Sequence, residues 1–340
     1  MGLGDICCLI ASTFPKLVCT LLLVWSYYTV IFKVNLVLVH CRAWQIIIFT
    51  ATTLLFAFSV TLYYLVIAVG PGSPLDFASL CRFDFKEGDR IDPPPLLINR
   101  SVMVKQNGGY RFCNKCKVWK PDRCHHCSSC NKCILRMDHH CPWFANCIGF
   151  SNYKFFLQFL IYSSLYILLV ALITGWANYG FFVSESLSMD LFSFHVLFVF
   201  ALSIVFQLCL VVFTLFTAYH LLKNKTTIES YESQRYRSNN NSKNLGNIFD
   251  LGAKKNWCSV MGNTWAEWIL PIRVRSRSSV FSDGLSFEVN ESLYRRMEQE
   301  ASMQERLSNG IENYRNRQRQ IREEAISQID ATTISLAHAQ

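Results

Sequence analysis

Four long, nearly unbroken apolar runs divide this 340-residue chain, at residues 14–36, 44–69, 153–182 and 191–222. Each is long enough for a helix to cross a hydrocarbon core of about 30 Å, which takes about 20 residues. Trp44, Tyr63, Tyr64, Tyr153 and Tyr219 fall near run ends, where amphipathic rings favour the headgroup region. The first run carries Trp25, Tyr27 and Tyr28 and no small-residue cleavage site, so it reads as a span and not a signal peptide. The pattern predicts an all-α integral membrane protein of four transmembrane helices. Its polar parts are a tail at 1–13, a large segment at 70–152, a membrane-proximal region at 223–287 and a charge-rich end at 288–340.

Basic residues set the expected orientation. Segment 70–152 carries Arg82, Lys86, Arg90, Arg100, Lys105, Arg111, Lys115, Lys117, Lys120, Arg123, Lys132 and Arg136. Lys223 and Lys225 follow the fourth run, whereas the turn between runs three and four has only Glu185 and Asp190. The positive-inside rule then puts both termini and segment 70–152 in the cytosol. Most of the +9 net charge lies on that side, where anionic lipid and phosphorylated cofactors are met and no nucleic-acid partner is expected. A composition that is 51% hydrophobic agrees with the spans. Cys7 and Cys8, next to the membrane, are candidate S-acylation sites. His195 and Gln207, inside the fourth run, are expected to make interhelical hydrogen bonds.

The chemistry gathers between Cys113 and Cys147, where 35 residues hold eight cysteines and four histidines. In a reducing cytosol such clusters are metal ligands or catalytic groups more often than disulfides. Cys113-x2-Cys116, Cys127-x2-Cys130 and Cys130-x2-Cys133 have knuckle spacing for zinc, with His125, His126, His139, His140 and Cys147 close by. The block has too few apolar residues to fold unaided. Two tetrahedral sites would use eight groups and leave four over. Spacing does not say which histidine of each pair is a ligand. In Asp138-His139-His140-Cys141, one imidazole can bind zinc while the other acts as base to a thiol and the carboxylate orients that base. Pro142 and Trp143 then lead back to the membrane, which suits a substrate with an activated polar head and an apolar tail.

The run from Cys113 to Asn152 reads Cys-x2-Cys … Lys-Pro-x-Arg-x-His-His-Cys-x2-Cys-x2-Cys-x4-Asp-His-His-Cys-Pro-Trp-x3-Cys-x-Gly-x2-Asn. It resembles the signature of the DHHC protein S-acyltransferases. The resemblance extends to Trp25-Ser26-Tyr27-Tyr28, Thr226-Thr227-Ile228-Glu229 and the stretch 247–257, covering about residues 14–287 in all. Two positions depart from it: Gly70 stands where the family has Asp before Pro-Gly, and Ala253 where it often has Cys.

The resemblance implies one zinc on Cys113, Cys116, His126 and Cys133, and a second on Cys127, Cys130, His140 and Cys147. It leaves Cys141 as nucleophile, His139 as base and Asp138 as its orienting group. The implied activity moves a long-chain acyl group from acyl-CoA through Cys141 to cysteines of membrane-associated proteins. The acyl chain is expected among the spans, with Ser26 and Tyr166 at its closed end and Trp143 at its mouth. Lys120 and Arg123 are candidates for the CoA phosphates. Thr226, Thr227 and Glu229 are expected near Asp138, or as a helix cap. Golgi, endoplasmic reticulum or plasma membrane is the implied location. Two other functions compete: a catalytically silent membrane-anchored zinc scaffold that recruits partners, and a thiol oxidoreductase using its Cys-x2-Cys pairs. An intact Asp-His-His-Cys argues against the scaffold, and metal-bound pairs would exclude the oxidoreductase.

Overall fold

The structure, a computed structural model, describes residues 3–86, 92–102, 110–183, 194–232, 246–274, 283–297 and 299. The side chains of Cys7 and Cys8, the turn with Glu185 and Asp190, and the stretch 300–340 lie outside the described residues. The chain divides into two compact units, residues 1–242 with 249–288, and 243–248 with 289–340. In the second, a helix over 291–297 begins at Asn290, whose Oδ1 accepts from the Leu293 N–H at 3.3 Å.

The first unit is built on four helices long and apolar enough to cross a membrane: Thr13–Leu38, Arg42–Val69, Tyr153–Val183 and Phe194–Leu222. This is a multi-pass membrane protein. A helix is the economical way through hydrocarbon because every backbone N–H and C=O is satisfied within the segment. Helix α1 (Leu3–Tyr28) starts well before the first apolar run and continues as a π-helical stretch, Thr29–Asn35, and a last turn, Leu36–Leu38. Val30, Ile31 and Val34 of that stretch are buried against Tyr166, Val170 and Ile173 of α3 (Tyr153–Val183) and Val196 and Val199 of α4 (Phe194–Leu222). Across the spans, Trp25 Nε1 donates to His195 Nδ1 at 3.2 Å, the interhelical bond expected of that histidine. The Oε1 of Gln207 finds no partner, so that half of the expected pairing fails.

Helix α2 (Arg42–Val69) stops at Gly70, which takes φ 68°. Gly72, at φ 81°, is needed for a second reason: a Cβ there would lie 2.7 Å from Ser151 Oγ. Around it the Leu135 N–H donates to Gly72 O at 3.1 Å and the Ser151 N–H to Pro71 O at 3.1 Å, which stitches the exit of α2 to the cysteine block. That block adds what the apolar pattern did not announce, three antiparallel hairpins of two- and three-residue strands. They are β1 (Phe112–Cys113) with β2 (Val118–Trp119), β3 (His125–Cys127) with β4 (Lys132–Ile134), and β5 (His139–Cys141) with β6 (Asn146–Ile148). A small core of Leu80, Leu97, Val118, Trp119, Leu135 and Leu285 lies against the first two.

Two sets of polar side chains join the block and the C-terminal region to the membrane helices. Asn152 is fully buried; its Nδ2 donates to Val66 O at the end of α2 (3.1 Å) and to Cys147 O (3.0 Å), and its Oδ1 accepts from the Gly149 N–H (2.9 Å). On the first turns of α3, Lys154, Gln158 and Tyr162 follow at four-residue spacing and so share a face. They donate to carbonyls of Ile272, Trp268, Leu270 and Ile269 around the exit of α6 (Trp265–Ile269), the helix after α5 (Ala253–Met261). These bonds give partners to carbonyls at and just beyond the helix C-terminus, where intrahelical donors run out.

Asn152→Ala removes three buried bonds at once and leaves two carbonyls and an N–H unpaired. We expect a loss of about 2–4 kcal/mol, seen as a lower unfolding temperature of the detergent-solubilised protein. A melting curve superimposable on that of the parent would refute the role given to Asn152.

Candidate functional site

The three hairpins are one device repeated every fourteen residues. Cys113, Cys127 and Cys141 open the turns, and Cys113↔Val118, Cys127↔Lys132 and Cys141↔Asn146 face each other in the same register. Each turn is bent back by a residue at positive φ, Lys117 (51°), Asn131 (49°) and Ala145 (44°). That conformation is disfavoured for residues with a Cβ, so something beyond two or three ladder bonds must hold it.

Metal coordination fits that need. Two groups have all their donor atoms within 4.8 Å of one another: Cys113, Cys116, His126 and Cys133, and Cys127, Cys130, His140 and Cys147. Sγ to His126 Nδ1 distances are 3.7, 3.2 and 3.9 Å for Cys113, Cys116 and Cys133. For His140 Nδ1 they are 3.7, 3.3 and 3.6 Å to Cys127, Cys130 and Cys147. Tetrahedral zinc with sulfur at about 2.3 Å and nitrogen at about 2.0 Å puts its ligand atoms about 3.6–3.8 Å apart. Three thiols and an imidazole at this spacing can hold zinc. Each group takes its knuckle from one hairpin and its His and Cys from the next, so the sites lock successive hairpins together. Strand alternation settles which histidine serves: His126 faces Cys133 and His140 faces Cys147 across their ladders, while His125 and His139 point to the opposite face.

The third knuckle has no metal partner set. Where Cys116 and Cys130 complete the first two turns, Phe144 stands in the third, and among the described residues no fourth hairpin follows. Cys141 is thus the knuckle cysteine without a metal among the described residues. One neighbour differs too: His139 lies two residues back on the same face, as His125 does for Cys127, but Asp138 precedes it where the previous repeat has Cys124. The His139 Nδ1 and Asp138 Oδ2 are 2.7 Å apart. Asp138 Oδ1 accepts from the Thr227 N–H at 3.1 Å, and the Thr227 hydroxyl donates to the Asp138 carbonyl. With Nδ1 on the carboxylate, Nε2 is left buried and available to the Cys141 thiol. Burial of the ring opposes protonation, but the hydrogen bond to Asp138 and the nearby Cys141 outweigh it and push His139 up to about 9.

Arg123 has a different employment from the phosphate contact expected of it. Its side chain is 1% exposed; Nε and Nη2 donate to Glu229 at 2.7 and 2.9 Å, and Nη1 and Nη2 to Asn224 at 2.9 Å each. The rings of Phe249 and Phe287 lie 4.5 and 5.1 Å from the guanidinium carbon. A guanidinium enclosed on all sides does not reach a cofactor phosphate. Glu229 in turn forms a reciprocal cap with Thr226: its N–H donates to Thr226 Oγ1 (3.2 Å) and its Oε2 accepts the Thr226 N–H (2.9 Å). Burial raises the Glu229 carboxyl pKa, yet Arg123 prevails and holds it below the usual range. Both expectations for this motif are therefore met, as it caps a helix and its Thr227 grips Asp138. Lys120 is half-buried at the base of the first hairpin.

His139 and Cys141 open onto a cavity of about 610 Å³ that runs down among the spans. Trp143 lies at its mouth and is 52% exposed, the condition of an interfacial ring. Ser26 and Tyr166 line it, joined by a 2.8 Å hydrogen bond between their hydroxyls. The structure adds Tyr63, fully buried on α2, whose hydroxyl donates to Trp143 O at 2.8 Å and whose ring rests on Phe144, centroids 5.1 Å apart. In the sequence it is one span-end tyrosine among several, and nothing there distinguishes it from Tyr64.

Fold and site together define a membrane-embedded, zinc-binding enzyme with a thiol at the head of an apolar cavity. The family model of the DHHC palmitoyltransferases matches residues 106–234. Palmitoyltransferase PFA3 of Saccharomyces cerevisiae is 40% identical over 313 residues, covering 88% of this chain and 91% of the relative. That of Candida albicans is 38% identical over 356, covering 93% and 94%. Human palmitoyltransferase ZDHHC2 is 35% identical over 285, covering 80% and 74%. The chain belongs to the DHHC palmitoyltransferase family.

Glu229→Ala would leave the buried Arg123 charge unpaired, at an expected cost of about 3–5 kcal/mol. Combining Arg123→Met with Glu229→Leu should recover much of that loss in thermal unfolding. If the double variant were no more stable than Glu229→Ala, the ion pair would not be the reason the region holds.

Proposed function

We propose that this protein transfers a long-chain acyl group from acyl-CoA to cysteines of membrane-associated proteins in two steps through Cys141. His139 takes the Cys141 proton, and the thiolate attacks the thioester carbonyl of acyl-CoA. The bond from that carbon to the CoA sulfur breaks, and CoA leaves with the proton held by His139. An acceptor cysteine then yields its proton to His139, attacks the Cys141 thioester and frees Cys141. Splitting the transfer is covalent catalysis and predicts ping-pong kinetics. The carrying observation is the chain Thr227–Asp138–His139 ending beside an unligated thiol that opens onto an apolar cavity. Asp138 fixes the ring so that Nε2 is the atom turned toward chemistry.

The remaining assignments follow from that centre. The eight cluster residues hold two structural zinc ions, which keep the knuckles folded and take no part in the transfer. Ser26 and Tyr166 close the acyl cavity and Trp143 flanks its entrance. Drawing the chain out of water is favourable by about 0.8 kcal/mol per methylene. Lys120 is assigned to the CoA phosphates. The basic segment between the second and third spans supports a cytosolic side for both termini and the zinc block, where acyl-CoA and acceptor cysteines are met. Golgi, endoplasmic reticulum and plasma membrane are the candidate locations. A silent scaffold would need the eight ligands only and has no use for the Thr227–Asp138–His139 chain.

Purified, zinc-loaded protein incubated with palmitoyl-CoA should gain one hydroxylamine-labile acyl group at Cys141. Cys141→Ser should abolish it while two zinc ions per chain remain by elemental analysis; loss of one zinc would make Cys141 a ligand and end this proposal. Tyr166→Ala should move the preferred donor to longer chains, measured by competition among acyl-CoAs of graded length.

A further inference from the structure

Among the described residues the cavity wall carries one hydroxyl that is left without a partner. Ser163, on α3, lines the cavity, is 2% exposed, and its hydroxyl has no hydrogen-bond partner. Its neighbours are settled: Ser26 and Tyr166 pair with each other, and Ser203 donates to Phe200 O at 2.7 Å. Thr174, further along α3, bonds back to Val170 O at 2.7 Å, the usual refuge of a hydroxyl in an apolar helix. Ser163 does not take that refuge. A saturated chain filling the cavity would seal this hydroxyl away from water with nothing to bond, which is costly.

Its depth says which part of an acyl chain it meets. Phe156, whose ring lies 5.4 Å from that of His139, marks the level of the reacting centre. Ser163 is seven residues further along α3, or about 10 Å at about 1.5 Å per residue. An extended chain advances about 1.2 Å per backbone bond, so Ser163 lies about eight or nine bonds from the thioester carbon. Tyr166, three residues on, lines the cavity about one turn deeper.

We propose that Ser163 is a specificity-determining residue that favours acyl chains carrying a hydrogen-bond acceptor at mid-length, either a cis double bond or an oxygen. The inference rests on the acyl-transfer assignment of the cavity. The Ser163 hydroxyl donates to the π density or oxygen of such a chain and stays unpaired against a saturated one.

The test is competition within one tube. Zinc-loaded protein receives equal palmitoyl-CoA and either its mid-chain cis-alkenyl or its mid-chain hydroxyl analogue, and intact mass gives the ratio of adducts on Cys141. The parent is compared with Ser163→Ala and with the isosteric pair Ser163→Thr and Ser163→Val. Because each ratio is internal to one protein, a general change in rate cancels. The parent and the threonine variant should favour at least one analogue by about two- to ten-fold more than the alanine and valine variants do. The two analogues tell a π acceptor from an oxygen acceptor. Equal ratios in all four proteins overturn the role of Ser163 and leave the acyl-transfer assignment standing. Absence of any adduct on the zinc-loaded parent overturns that assignment, and this inference with it.

Discussion

Hairpins of two or three residues per strand do not persist in water unaided, and a turn held at positive φ makes them costlier still. The cysteine block answers with two Cys3His groups, each drawn from consecutive hairpins, so the binding energy of a metal becomes folding energy for both. The order of the chain does the rest. Hairpin one gives its knuckle to the first site, hairpin two gives a His and Cys to the first and its knuckle to the second, and hairpin three gives a His and Cys to the second. One knuckle remains at the end of the series. Its cysteine inherits the geometry of a ligand, at a fixed place on a rigid turn, without a metal to occupy it.

That rigidity would be of little use if the rest of the centre moved. His139 is oriented by Asp138, Asp138 by Thr227, and Thr227 by the cap that Glu229 makes with Thr226. At the far end Arg123 returns the line to the cysteine block, from a position just before β3. The chain of contacts thus closes on itself across the membrane-proximal region. A buried ion pair of this kind is weak evidence for stability, since its desolvation cost offsets its attraction. Its better-attested use is to fix one arrangement among several, and here the arrangement fixed is that of the imidazole.

How much of this was legible in the sequence depended on whether the signal was periodic, spaced or tertiary. The spans were legible because apolar length is read directly. The ligand types were legible from knuckle spacing, but the choice of His126 over His125 was not, because it depends on which face of β3 each residue takes. In the folded strand the ladder partner Cys133 decides it. A basic residue beside a site for a phosphorylated substrate suggests phosphate, but the enclosure of Arg123 comes from Asn224, Phe249 and Phe287, all a hundred residues or more away along the chain. Tyr63 escaped for the same reason, since its partner is a backbone carbonyl and no motif marks such a bond.

The cavity raises a last question of energetics. An acyl-CoA arriving from water gains by burying its chain in any apolar place, and the bilayer itself is such a place. Lipid tails are as apolar as the leucines and phenylalanines of the wall, so the hydrophobic effect drives loading without discriminating much between cavity and membrane. Choice among chains must come from what lipid does not offer: a closed end and polar groups at fixed depth. In the proposed reading the joined hydroxyls of Ser26 and Tyr166 supply the first. They cost little in hydrocarbon because they satisfy each other. Among the described residues Ser163 is the one lining hydroxyl left unsatisfied, and in a medium without water such a group discriminates between a chain that can pair with it and one that cannot.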